Sequence, residues 1–258
     1  MSLRSPLPVA RLLGCALLCA AVVARADVTL LLNTRSAGID GTETIFVAGE
    51  RLRLETRQGD EHSAMIFDAT SDTLTMLDDE ERVYLDFNRE SAEQLDRVRD
   101  QQVAALQKQF EAQLATLPAE ERAALERSLH ADARPGSAQR RVERQRQTRT
   151  VAGFGCQVIE VYVEDDREQT HCVSGRETLG LSEAEYGTLM RMLAALERMA
   201  GQDADATLDL GGFPVQTLEF AEGDEILTQL KSIQRGPVAP DRFRVPAGYR
   251  RQEPLPIH

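Results

Sequence analysis

Arg51-Leu52-Arg53-Leu54-Glu55-Thr56 puts an apolar side chain at every second position. That period of two marks a strand with one face buried and one face wet. Working outward, the same alternation appears in Val28, Leu30 and Leu32, in Leu74 and Met76, and in Val83, Leu85 and Phe87. Turn-forming residues at Gly38–Gly41, Ala48-Gly49-Glu50, Gln58-Gly59-Asp60, Ser71-Asp72 and Asp78–Glu81 separate the runs, so residues 28–87 read as a β meander.

The period then changes. From Ser91 the apolar residues Leu95, Val98, Leu106, Phe110 and Leu114 mark an amphipathic helix, with Ser91 and Gln94 in capping-box spacing. Leu117-Pro118-Ala119 restarts a helix to about His130, and Ala131–Ala138 reads as a linker. Strands resume around Ile159, Val161 and Val163, turn at Asp165-Asp166 and return through Gln169–Val173. Ser182 and Glu185 form a second capping box, opening a helix with Tyr186, Leu189, Met190, Leu193, Leu196 and Met199 on its apolar face. Two strands, Phe213–Phe220 and Glu225–Gln234, close the pattern, and a proline-rich tail is expected to lie over the surface. Strands, then helices, then strands again specify an α+β fold with one antiparallel sheet and helices on one face.

The N-terminus carries Arg4 and Arg11, then the apolar run Leu12–Val23, then Ala24-Arg25-Ala26 before Asp27. A positive start, a short apolar stretch and a small-x-small site are the marks of a cleaved secretory signal peptide over 1–26. The run falls short of the roughly 20 apolar residues that span a bilayer, which disfavours a retained anchor. Leu12-Leu13-Gly14-Cys15 has the look of a lipid-modification box, but Arg11 leaves almost no apolar run ahead of it. No later run reaches membrane-spanning length, so the expected organisation is a leader followed by a single domain over 27–258, with a helical insertion at about 91–131. The chain holds 30 basic and 42 acidic residues, a net charge of −12, and losing the leader's three arginines makes it more acidic still. That balance argues against nucleic-acid binding, which needs a basic surface.

Beyond the leader only Cys156 and Cys172 remain, and in an oxidising compartment an isolated pair is most simply a disulfide. It closes a loop of about 16 residues, a contribution on the order of 3 kcal/mol in the loop-entropy model. With His171 as the sole imidazole beside them, the two sulfurs make a poor zinc site.

Several stretches now match a known pattern. Ile45-Phe46-Val47-Ala48-Gly49-Glu50-Arg51-Leu52-Arg53-Leu54-Glu55-Thr56 is followed by Met65-Ile66-Phe67-Asp68, Met76-Leu77-Asp78 and Val83-Tyr84-Leu85-Asp86. Later come Val151-Ala152-Gly153-Phe154-Gly155-Cys156, Val161-Tyr162, Cys172, Leu179-Gly180-Leu181, Gly212-Phe213-Pro214-Val215 and Phe243-Arg244-Val245-Pro246-Ala247-Gly248-Tyr249. Their order resembles the bacterial domain-of-unknown-function 4412 family across nearly the whole chain after the leader. That family is similar to the half-barrel lipoprotein carriers of the LolA/LolB type. The resemblance implies a curved antiparallel sheet, a LolA-like half barrel with helices packed on its concave face, located in the periplasm. It implies no established activity. The helical insertion departs from the minimal carrier and could fill the cavity.

No catalytic constellation emerges. Gly153-Phe154-Gly155-Cys156 superficially resembles a nucleophile turn, but nothing supplies a base and an orienting group. His62, His130, His171 and His258 have no metal-ligand spacing, and Asp78–Glu81 and Asp165-Asp166 lack the EF-hand pattern, so they read as solvated turns. Arg134, Arg140, Arg141, Arg144, Arg146 and Arg149 form a basic stretch, read as the wet face of a linker and edge strand in preference to a contact for an acidic partner. The candidate apolar lining is Leu52, Leu54, Met65, Phe67, Met76, Leu85, Val161, Leu218 and Phe220, which form either a packed core or a ligand cavity. The expectation is a non-enzymatic periplasmic protein that binds a lipid, an acylated peptide or a lipoprotein segment, without metal or cofactor. The alternative is an envelope protein–protein adaptor whose cavity is plugged by its own helices.

Overall fold

A computed structural model describes residues 27–116, 118, 140–199, 210–221 and 224–252. The expected leader, all but Pro118 of the helix expected over 117–130, and the expected linker at 131–138 lie outside the described residues. Six strands come first: β1 (Val28–Ser36), β2 (Ile39–Ala48), β3 (Arg51–Gln58), β4 (Glu61–Asp68), β5 (Thr73–Asp78) and β6 (Val83–Phe87). Helix α1 (Arg89–Thr116) follows, then β7 (Arg140–Val151), β8 (Phe154–Val163), β9 (Asp166–Ser174), helix α2 (Glu183–Met199), β10 (Phe213–Ala221), β11 (Asp224–Arg235) and the short β12 (Arg250–Arg251).

All twelve strands form one sheet in the order β12-β6-β5-β4-β3-β2-β1-β11-β10-β9-β8-β7. Every neighbouring pair is antiparallel except β12 on β6. The two ends do not meet, so the sheet is open. It is also curved. Laid flat at roughly 4.8 Å per strand, β5 and β7 would stand about 43 Å apart, while a helix of α2's length reaches only about 25 Å. Yet Leu74 of β5 and Val151 of β7 belong to one buried core with Leu189 and Met192 of α2. The sheet wraps round that helix, as the half-barrel expectation requires.

Helix α2 starts with the expected reciprocal cap: Ser182 N–H donates to Glu185 Oε2 at 2.6 Å, and Glu185 N–H donates to Ser182 Oγ at 3.3 Å. Its buried face is centred elsewhere than expected, on Glu185, Thr188, Leu189, Met192 and Ala195. Tyr186, Met190, Leu193, Leu196 and Met199 pack only partly against the core. Polar contacts strap the helix to one end of the sheet. Thr188 Oγ1 donates to the Gly49 carbonyl, Arg191 to the Ala69 carbonyl, and Arg198 to Asp72. Arg235 of β11 donates to both oxygens of Glu185.

Other local expectations shift. The first hairpin turns at Ala37-Gly38, both at positive φ, so Gly41 already lies inside β2. A side chain at Gly41 would come within 2.8 Å of the Arg57 carbonyl oxygen, so glycine there serves a close strand approach. The cap of α1 is Asn88, whose Oδ1 accepts from the Ser91 N–H at 3.0 Å. The tail does more than cover surface: Phe243 is buried, Val245 and Tyr249 pack on Ala64, Ile66 and Leu77, and β12 adds to β6.

Candidate functional site

Strand register builds three parallel rows across the face that meets α2. In the first, Val28, Val47, Leu52, Phe67, Leu74 and Phe87 stand side by side. Val28, Val47, Leu52 and Phe67 are fully buried beneath α2. The second row is Leu30, Ile45, Leu54, Met65, Met76 and Leu85. Here exposure rises outward, from 0% at Leu30 through 4% at Ile45 and 8% at Leu54 to 36% at Met76. Met65 and Leu85 are half-buried. The third row turns polar: Leu32, Glu43, Thr56 and Ser63. Burial pushes the Glu43 carboxyl above its usual pKa.

The nine lining candidates therefore separate. Leu54, Met65, Met76 and Leu85 are contiguous and lead from the core to the open surface. Leu52 and Phe67 lie in the packed core. Val161 stands apart, packed with Ile159, Val173 and Leu210 in a second cluster, while Cys156 and Val158, alternating with it on β8, belong to the main core. That strand is buried on both faces, so alternation alone could not tell which set faces the main core. Leu218 and Phe220 sit on β10, four places along the sheet from β3, half-buried, with Phe220 under the Arg167 guanidinium at 5.2 Å.

Beside the open end of the second row lies a cleft of about 920 Å³. Met76, Val83 and Leu85 supply its apolar floor, and Thr56 and Ser63 continue it. Asp60, Glu61, Asp78, Asp79 and Glu80 line it from the β3–β4 and β5–β6 turns. Asp79 is held there by His62, whose Nδ1 is 2.5 Å from Oδ2, and by the Tyr249 hydroxyl, which donates to Oδ1. Burial opposes ionisation of Asp79, but these hydrogen bonds prevail and hold its carboxyl below the usual range. The sequence gives little sign of this cleft, because it assembles from two turns that read as solvated.

The other polar groups singled out by the sequence make contacts within the fold. Cys156 and Cys172 form a disulfide, Cα–Cα 5.3 Å, tying β8 to β9. Ala152-Gly153, which leads into Cys156, is a two-residue hairpin turn with both φ positive. His171 is buried, with Nδ1 3.0 Å from Thr217 Oγ1 and Nε2 3.1 Å from Gln169 Oε1. Among the described residues no group of three or more His, Cys, Asp or Glu side chains is placed to hold a metal, and no helix is long and apolar enough to cross a membrane. The arginine stretch falls largely on β7, the last strand of the sheet. There Arg141 pairs with Glu143 and stacks on Tyr162, and Arg144 donates to the Leu210 carbonyl. Helix α1 packs against β6, but its Val103, Leu106 and Phe110 remain exposed, so among the described residues α2, and not α1, fills the sheet's concavity.

The profile of the family described as "Domain of unknown function (DUF4412)" matches residues 105–249, more than half of the chain. The match begins within α1, so the six-strand meander lies outside it, a narrower span than the motif order suggests. No curated protein sequence matches. Among solved structures, an uncharacterized conserved protein from Thermus thermophilus superposes with a TM-score of 0.44 at 6% identity, covering 90% of this chain and 92% of that one. MucB in the Pseudomonas aeruginosa MucA/MucB complex superposes with a TM-score of 0.36 at 13% identity, over 84% of this chain. The match spans only 55% of that MucB chain.

Proposed function

The chain belongs to the DUF4412 family, and from that footing we propose that it is an exported, non-enzymatic binding protein of the bacterial envelope. Its ligand is an apolar one, an acyl chain or an apolar lipoprotein segment, held on Leu54, Met65, Met76 and Leu85. The observation that carries this reading is the rise in exposure along the second row as it leaves the cover of α2. An apolar strip that is half finished by its own fold gains free energy when a ligand completes it. Cysteine chemistry is closed off by the disulfide, which also supports an oxidising compartment. Cleavage before Asp27 fits the anchoring of that residue: its carbonyl accepts from Gly236 N–H and its carboxylate from Val238 N–H.

A second reading has its own support. With α2 filling the concavity, the exposed stripe of Val103, Leu106 and Phe110 on α1 suits an adaptor that docks a protein partner.

Native mass spectrometry of protein isolated gently from the periplasm, followed by organic extraction, tests both. The proposal expects a polypeptide starting at Asp27, two hydrogens light for the disulfide, carrying a stoichiometric apolar adduct that Met76→Glu abolishes. A bare mass, under conditions in which a known carrier keeps its lipid, overturns the apolar-ligand reading. Crosslinking to a protein partner that Leu106→Glu removes would then establish the adaptor.

A further inference from the structure

We infer that the cleft between the β3–β4 and β5–β6 turns is a docking site for a cationic amphipathic polypeptide segment, one that alternates lysine or arginine with apolar residues. The inference rests on the apolar-binding reading above and names the chemistry of the occupant.

Two features of the cleft carry it together. The first is the floor of Met76, Val83 and Leu85, which calls for apolar side chains. The second is the electrostatics of the rim. Elsewhere on this sheet and its covering helix several acids are matched by arginines: Asp40 by Arg35, Glu55 by Arg53 and Arg242, Asp72 by Arg198, Asp86 by Arg251, Glu160 by Arg167 and Glu185 by Arg235. The cleft gathers five acids with no lysine or arginine among its described lining residues. Asp79 is satisfied by His62 and Tyr249, but Asp60, Glu61, Asp78 and Glu80 have no lysine or arginine within ion-pair distance among the described residues. Asp78 is also fixed in place, since its Oδ1 accepts the backbone N–H groups of Glu80 and Glu81.

Acids without a cation of their own present a negative potential at the cleft, and an incoming cation is drawn to it. The same field repels anionic lipid headgroups and acidic peptides. An extended segment points alternate side chains to opposite sides, so one strand of such a sequence can lay apolar groups on the floor while its basic groups reach the rim. The cleft is open to solvent along the sheet end, which lets a chain enter and leave.

Fluorescence anisotropy on the chain from Asp27 to His258 tests this with labelled octapeptides alternating Lys-Leu or Glu-Leu, beside a neutral apolar dye. The Lys-Leu peptide should bind, the Glu-Leu peptide should not, and raising salt should weaken the former. Asp60→Asn/Glu61→Gln/Glu80→Gln should raise its Kd about 10-fold, as three exposed charge contacts imply, and leave the dye's Kd unchanged. A control with the same charge change on the β8–β9 hairpin, Asp165→Asn/Asp166→Asn/Glu168→Gln, should keep near-native affinity. Equal binding of the two peptides, or equal weakening by the two triple variants, overturns the cationic docking site. Dye binding that Met76→Glu abolishes would still uphold the apolar strip in that case, whereas binding of neither dye nor peptide overturns both.

Discussion

His171 shows how much a single position depends on its surroundings. In sequence it is a histidine beside a cysteine. In the fold its ring is buried between Thr217 and Gln169, both neutral partners, with Arg140 near. Burial first, and the charge of Arg140 second, lower its pKa from 6.5 to about 4. In the unfolded chain it takes up a proton near pH 6.5, and in the folded chain only near pH 4. Its contribution to stability is therefore complete above pH 6.5 and is lost as the pH falls toward 4, by roughly 3 kcal/mol at most. Urea denaturation across that range should show the loss, and His171→Asn should flatten the profile. Parallel profiles for the two proteins would mean that the ring takes up its proton at the same pH in the folded and unfolded chain.

Among the elements, those readable from sequence are the ones that close neighbours in the chain decide. The Ser182–Glu185 cap is a contact over three residues, and it forms as read. The cap of α1 falls elsewhere than expected because β6 ends at Phe87 and the helix begins at Arg89. With no loop between them, Asn88 takes the capping position and Ser91 falls inside the helix. Ser182→Ala should cost about 1 kcal/mol. Glu185→Ala should cost more, about 2 kcal/mol, because it removes both the acceptor of the Ser182 N–H and the carboxylate that pairs with the half-exposed Arg235. Equilibrium denaturation of the two variants checks the ranking, and equal losses would remove Arg235 from the account. The basic stretch on β7 is likewise explained locally: charge along an exposed edge strand discourages a second sheet from pairing there.

Over the whole molecule, the sheet is finished from both faces. Helix α2 closes one, and the tail returns to the other, where Phe243 lies under Arg51, Arg242 stacks on Phe46, and Arg53 donates to the Arg242 carbonyl. Phe243→Ala should destabilise the protein by about 3 kcal/mol, since a buried aromatic is lost from a contact joining the tail to strands near the start of the domain. A thermal or urea midpoint unchanged by Phe243→Ala would mean that the tail lies loosely on the surface.

Residue type and short spacing were enough to specify the alternation that makes a sheet, the change of period at α1, the cap of α2 and the cysteine pair. They also placed Leu52, Leu54, Met76 and Leu85 on one face, because apolar and polar residues alternate along most of β3, β5 and β6, whereas β4 carries apolar side chains on both faces. Which members of that set stay open was settled by packing. It depends on where α2 comes to rest across the sheet, burying Leu52 and Phe67 and leaving Met76 at the rim. Packing also buries β8 on both faces, which removes Val161 from the row, and brings the acids of two distant turns into a cleft with Tyr249 of the tail. Period and spacing act along the chain, whereas cover, curvature and charge pairing act through space between segments whose separation in sequence carries no local signal.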